Sequence, residues 1–423
     1  MKVPKVIDDL EAKIVNTLKL SRFKNQLVGK GYVTGLKAVT YLLSIPKPTI
    51  FMSKGASIRL CESVAQFGLN KLLIVTDQAL YDMGLLNEIL AQLDSQNMPY
   101  SLFTDVEPDP TFAVVESGLC QYRKENCDCV MAIGGGSSID AAKVIALAAS
   151  NEVEPTELVG ILKGRKPSAP FFAIPTTAGT GSEATIGAVI SDTQTHKKEL
   201  VIDTKVVPLV AALDPALMTG LPAHISAATG MDALTHLIEG YLSGMANQES
   251  DYYARSGIQM IFENLSKVCK RGNNLKAREK MALASYYGGL TINIAGLGYV
   301  HAFAHQIGAK YKMPHGESNA KVLPYILEFN KQATSDRMAE IALFLNLGAK
   351  SESELVLADK FIEAVKKLIK EVGIEAKIPQ IKVADHTGII QAAFKEANST
   401  YAVAKYMSYD EAELILQNLS AGA

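Results

Sequence analysis

No uncharged apolar run in this 423-residue chain approaches the ~18 residues that a membrane-spanning helix needs, so a membrane partner is not expected. The opening stretch, MKVPKVIDDLEAK, has neither an apolar core nor a small-residue cleavage site, so no secretory signal is expected. Cysteine is scarce: the five (positions 61, 120, 127, 129 and 269) are odd in number and scattered. That excludes a disulfide framework and points to free thiols in a reducing cytoplasm. Cys127-Asp128-Cys129 has no second pair to make it a metal or redox motif, and reads as small residues leading into a strand. Charge of one sign is also lacking. The 42 Lys+Arg nearly balance the 44 Asp+Glu, which excludes a general attraction to nucleic acid or acidic lipid. The local exception is residues 1–47, with nine basic residues against three acidic. These read as a helical extension with a solvated face, the clearest helix falling over 5–20. Two nucleotide fingerprints are missing as well: G-x-G-x-x-G after the first strand, and G-x-x-x-x-G-K-[ST].

What remains is ordinary in bulk, 48% hydrophobic and 20% charged, with length enough for two or three domains. From about residue 48, short apolar runs alternate with helical patterns. LLIVTD (72–77), YSLFTDV (100–106), CVMAIGGGS (129–137) and PFFAIPTTAGTGS (170–182) read as strands, and 79–97 and 111–126 as helices. That alternation implies βαβ units and a mostly parallel sheet, a variant of the Rossmann arrangement. Beyond about residue 220 every strong pattern is helical, from LPAHISAATGMDALTHLIEGYLSG to SELVLADKFIEAVKKLIKEVG. The expected organisation is an extension over 1–47, an α/β domain over 48–219 and an all-α domain over 220–423.

Three strand ends carry ligand chemistry. In GGGSSIDAAK (134–143), Gly135, Gly136 and Ser137 lie between a strand and a helix start. There the backbone can approach an anion, and the helix N-terminus offers N–H groups to a pyrophosphate. Asp77 ends the first strand of the alternating region, where an acid can accept hydrogen bonds from a ribose 2′-hydroxyl and repel a 2′-phosphate. PTTAGTGSE (175–183) adds the hydroxyls of Thr176, Thr177 and Thr180. Loops at strand ends converge in open α/β sheets, so a dinucleotide is expected there.

The histidines supply the second signal. Asp232 and His236 lie four apart in GMDALTHLIEG. His301 and His305 repeat the spacing in GLGYVHAFAHQIGAKYKMPHG, and His315 follows Pro314. On helices each pair shares a face. One carboxylate and three imidazoles suit Fe²⁺ or Zn²⁺, and four imidazoles here compete for three places. His196, His224 and His386 have no partner at ligand spacing and read as surface or capping residues. A divalent cation acts as a Lewis acid on an alcohol oxygen, easing hydride loss to a dinucleotide.

The stretches VTD, VEPDPT, AIGGGSSIDAAK, PTTAGTGSE, ATGMDALTHLIEGY and GLGYVHAFAHQIGAKYKMPHG together resemble the iron-dependent (group III) alcohol dehydrogenases. These share a fold with glycerol dehydrogenase and dehydroquinate synthase. The resemblance covers roughly 48–423. It implies an NAD-dependent oxidoreductase that interconverts a small alcohol and its aldehyde or ketone in the cytoplasm, expected as a homo-oligomer, a dimer or larger. It further implies Asp232, His236, His301 and His315 as ligands of Fe²⁺ (Zn²⁺ being the other candidate), with His305 facing substrate in proton transfer. Asp77 matches the acid linked to NAD preference, and Asp109 a residue near the adenosine. Gly135, Gly136 and Ser137 match the pyrophosphate turn, Thr176, Thr177 and Thr180 the residues lining the cofactor opposite it, and Lys198 a basic residue near the cofactor. Three departures stand out: Gly187 where some relatives have Asn, Ile292 where some carry an aromatic residue, and Val403-Ala404-Lys405 in place of an Asn-Pro-Arg-like segment. The alternatives are a lyase of the dehydroquinate synthase type and a non-catalytic nucleotide- or metal-binding protein. The apolar Leu297, Tyr299, Val300 and Phe303 argue for a small uncharged substrate and against the phosphorylated one that such a lyase needs.

Overall fold

A computed structural model describes residues 45–193 and 197–420. The helix expected over 5–20, and His196, lie outside the described residues. Packing divides the chain into two compact units. One takes in Ile45–Ala233 and Met260–Asn293, the other Leu234–Gln259 and the chain from Ile294 on.

The first unit is built on a six-stranded, all-parallel sheet. Its strands are β1 (Thr49–Met52), β2 (Leu72–Val75), β3 (Tyr100–Phe103), β4 (Cys129–Gly134), β6 (Phe171–Pro175) and β9 (Val210–Leu213), in the order β1-β9-β6-β4-β2-β3. The four inner strands are buried at every residue, as continuous apolar runs such as LLIV and CVMAIG require when both sheet faces are covered. Alternate residues feed opposite cores. Leu73 and Val75 pack with Val115 and Ile145, whereas Leu72 and Ile74 pack with Leu60 and Leu93. The covering helices are α1 (Ala56–Val64), α2 (Gln78–Asp82), α3 (Asn87–Ser95), α4 (Phe112–Lys124) and α5 (Gly136–Asn151). The single helix expected over 79–97 is divided between α2 and α3, because Gly84 adopts a left-handed φ of 71° that interrupts the helical ladder. A second sheet of three strands, β5 (Gly160–Ile161), β7 (Gly187–Asp192) and β8 (Lys197–Ile202), runs in the order β5-β8-β7.

The strand order places a switch point between β2 and β4. The chain leaves β2 for β3 on one side and returns to β4 on the other. Connections that diverge in this way leave a crevice at the carboxyl ends of the two strands. Asp77 follows β2 there, and Gly135 follows β4.

After β9 the described residues contain only helices: α6 (Ala223–Leu242), α7 (Gln248–Lys270), α8 (Leu275–Ala295), α9 (Tyr299–Tyr311), α10 (His315–Asn330), α11 (Ser335–Phe344), α12 (Glu354–Glu371), α13 (Val383–Thr400) and α14 (Tyr409–Ser420). A mostly parallel α/β region followed by an all-helical one is the architecture expected from the sequence. Grouping by packing runs differently from grouping by element type, since residues 260–293 are helical yet count with the sheet. No helix among the described residues is long and apolar enough to cross a membrane.

Candidate metal centre and nucleotide site

Asp232 and His236 stand one turn apart on α6. The division between the units falls between Ala233 and Leu234, inside this continuous helix. Ligand atoms of Asp232, His236 and His301 all lie within 4.8 Å of one another, and all three residues are buried. The His236 and His301 rings are stacked, 4.7 Å between centroids. His315 opens α10, its ring 5.3 Å from that of His301, and His305 stacks on His315 at 5.1 Å.

Glu239 orders this cluster. Its carboxylate accepts the backbone N–H groups of Gly298 (2.9 Å) and Val300 (2.6 Å), capping α9 in place of a local side chain. The same carboxylate lies 2.6 Å from Nδ1 of His301. That contact places the imidazole proton on Nδ1 and leaves the Nε2 lone pair as donor to a cation. A Cβ at position 298 would stand 2.7 Å from Glu239 Oε1, so only glycine admits the carboxylate to the helix end. The Asn319 amide nitrogen lies 3.1 Å from Nε2 of His301 and 3.2 Å from Nε2 of His315, so both nitrogens face one point. A buried carboxylate beside imidazole lone pairs that converge in this way fits a divalent transition metal.

His305 is fixed by a different acid. Its Nδ1 is 2.7 Å from Glu396 on α13, which also accepts Gln306 Nε2 (2.9 Å) and the Tyr401 hydroxyl (2.7 Å). Burial lowers the His305 pKa below the usual histidine value, against the opposing pull of the Glu396 hydrogen bond. Glu239, Asn319 and Glu396 escaped sequence reasoning. Glu239 had a local signal, an acid three residues after His236 on the same helix face. Glu396 had none, because 91 residues separate it from His305.

In the sheet unit the loops after β4 and β6 meet. Gly135 and Gly136 open α5, and Ser137 follows in its first turn. A Cβ on Gly136 would come within 2.8 Å of the Thr180 side chain, and one on Gly135 within 3.5 Å of Thr177. Thr176 is buried where β6 ends. Asp77 caps α2, accepting the Leu80 N–H at 2.9 Å, so its position at the end of β2 serves a structural role as well. Asp109 has a left-handed φ of 58° and pairs with Lys198 of β8 at 2.5 Å, both side chains reaching solvent. The structure thus brings Thr177 and Thr180 to the glycine turn, and joins Asp109 to Lys198.

Two readings of the sequence change. His386 is buried and bound to Glu413 (2.7 Å), where a surface or capping role was expected; His224 is exposed as expected. Tyr299, Val300 and Phe303 are core residues, so their apolarity serves helix packing and says nothing of substrate charge. The reading of Cys127-Asp128-Cys129 is unchanged: Cys129 opens β4, and both cysteines are buried free thiols.

Comparison with known proteins gives a concordant picture. A family model described as iron-containing alcohol dehydrogenase matches residues 47–215, and one for the C-terminal part of the Fe-containing alcohol dehydrogenase family matches residues 226–419. The 1,3-propanediol dehydrogenase of Klebsiella pneumoniae is 38% identical over 359 residues, 84% of this chain and 92% of that protein. The NAD-dependent methanol dehydrogenase of Bacillus methanolicus is 38% identical over 336 residues, 79% of this chain and 88% of that protein. The solved structure of an alcohol dehydrogenase from Oenococcus oeni is similar with a TM-score of 0.86 at 34% identity, covering 89% of this chain and 99% of that one.

Proposed function

Because the chain belongs to the iron-containing alcohol dehydrogenase family, we propose that it interconverts a small alcohol and its aldehyde or ketone, with NAD(H) as hydride carrier. The observation that carries this reading is the buried Asp232–His236–His301 group, with His301 held by Glu239 in the ligating tautomer. In the proposal His315 completes the ligand set, and Fe²⁺, or Zn²⁺ in its place, is the resident ion. Such an ion supplies Lewis acidity toward the substrate oxygen. The names of the relatives, propanediol and methanol dehydrogenases, support a short alcohol. The enzyme acts as a cytoplasmic homodimer in this reading, in keeping with five free cysteines.

The remaining work falls to the chain's own side chains. Glu396 holds Nδ1 of His305, so Nε2 is the nitrogen left to pass a proton to or from the reacting oxygen. Gly135, Gly136 and Ser137, at the start of α5, hold the pyrophosphate. Thr176, Thr177 and Thr180 line the cofactor across from them. Asp77 accepts from the adenosine ribose, with Asp109 and Lys198 beside the adenosine end.

The test is an anaerobic assay of Fe²⁺-reconstituted enzyme with NADH against a panel of aldehydes and ketones, with metal content measured on the same sample. Enzyme that binds metal and NADH yet oxidises no NADH with any member would overturn the reading. Two variants examine individual roles. His305→Ala should keep its metal while kcat falls about a hundredfold, the usual scale of a lost general acid or base. Loss of metal instead would make His305 a ligand. Asp77→Gly should raise the NADP/NAD ratio of kcat/KM roughly tenfold, since the repulsion of a 2′-phosphate is gone. The lost cap should cost only about 0.3 kcal/mol of stability, because glycine is itself tolerated at that position. An unchanged ratio would remove Asp77 from cofactor choice.

A further inference from the structure

Lys143 and Asp140 lie on α5, the helix whose first turn carries Gly136. Lys143 is completely buried, and its ammonium contacts four acceptors: Ser182 Oγ (3.0 Å), Thr185 O (2.9 Å), Thr185 Oγ1 (2.8 Å) and Gly187 O (2.7 Å). All four belong to the stretch that runs from the end of β6 to the first residue of β7. Asp140 accepts the Ser182 hydroxyl at 2.5 Å and the Val189 N–H at 2.9 Å. Burial pushes the Lys143 pKa down to about 8, while Asp140 and Glu183 hold it up. A second grip comes from α8. Asn293 accepts the Ile186 N–H at 3.0 Å and donates to Ala184 O at 2.7 Å, engaging the backbone as a neighbouring strand does.

These contacts form one chain leading to the nucleotide site. Lys143 and Asp140 hold Ser182, the Ser182 N–H donates to Thr180 Oγ1 (3.2 Å), and Thr180 lies against Gly136. We propose that Lys143 and Asn293 are positioning residues for the dinucleotide, holding the Thr180–Gly187 segment at a set distance from the glycine turn of α5. Neither residue touches the cofactor in this proposal, which rests on the assignment of Thr177 and Thr180 to the cofactor wall. A buried cation suits the task because four acceptors leave its three protons no alternative partner. An amide suits the other grip because it donates and accepts at once.

The experiment uses the full chain loaded with Fe²⁺. NADH affinity is read by nucleotide fluorescence, together with KM for NAD⁺, KM for the alcohol, kcat, bound metal and melting temperature, in wild type, Asn293→Ala and Lys143→Met. For Asn293→Ala, NADH Kd and KM for NAD⁺ should both rise about tenfold, the equivalent of one lost net hydrogen-bond pair, with alcohol KM and bound metal unchanged. Lys143→Met should show a larger rise in the same two quantities. If Lys143→Met does not fold, Asn293→Ala decides alone. Wild-type NADH affinity in Asn293→Ala overturns the inference, as does a loss spread equally over alcohol KM, metal and cofactor. A wild-type enzyme that binds no NADH instead sinks the cofactor reading itself, so the two failures are distinct.

Discussion

Glu239→Ala is expected to cost the enzyme most of its metal and part of its stability at once. The substitution removes the acceptor for two backbone N–H groups and for His301 Nδ1, all in a buried setting. Unpaired buried donors each cost about 1–3 kcal/mol, so a loss of about 3 kcal/mol or more is expected on melting. The released His301 ring can turn or change tautomer, and partners of this kind typically govern metal affinity by 10–100-fold. Metal content after dialysis against a graded chelator, and thermal melts with and without added Fe²⁺, read the two effects separately. Glu239→Gln sharpens the test. Its amide keeps one acceptor oxygen but sets an NH₂ group where a carboxylate oxygen now accepts, so stability should fall less than in the alanine variant while metal affinity still drops. Metal retention equal to wild type in both variants would remove Glu239 from the centre.

The second large effect concerns the other ligand. Gly136→Val is expected to weaken NADH binding by about two orders of magnitude, roughly 3 kcal/mol, while bound metal stays at the wild-type level. A Cβ at this position would lie 2.8 Å from Thr180 Cγ2 and 2.9 Å from its Oγ1, and valine adds two further carbons. Thr180 cannot simply turn aside, because its hydroxyl accepts the Ser182 N–H and Ser182 is held by Lys143 and Asp140. The turn and the threonine loop must therefore part. At Gly135 the added carbon would meet Thr177 only at 3.5 Å, an ordinary contact, so Gly135→Ala should leave the melting temperature near wild type. Fluorescence titration with NADH and metal analysis on the same preparation test the prediction. Wild-type nucleotide affinity in Gly136→Val would mean that the pyrophosphate lies elsewhere.

The inner strands β2, β4 and β6 were legible because burial on both faces demands unbroken apolar runs, and LLIV and FFAIP have no other comfortable setting; the inner strand β9, VAAL, was missed. The strands of the three-stranded sheet also escaped notice. β5 has two residues, and β8 reads KKELVI, with too little apolar patterning to declare itself. The break between α2 and α3 was missed because a single glycine within a helical pattern is ambiguous until its φ is known. His386 was misplaced for a related reason: its partner Glu413 lies 27 residues away, outside any helical spacing.

Residue types at short spacing settled much by themselves. Asp232 and His236, or His301 and His305, share a face on any helix, and a strand followed by glycines and a helix start makes an anion turn wherever it occurs. These are properties of backbone geometry over one or two turns. Which imidazole nitrogen carries the proton is another matter. So is what holds the Thr180 loop in place. Both depend on Glu239, Glu396, Lys143 and Asn293, whose bonds to His301, His305, Ser182 and Ala184 span between 39 and 109 residues of the chain. A hydrogen bond acts over about 3 Å, so only the folded packing of helix on helix and loop on sheet could bring those groups together.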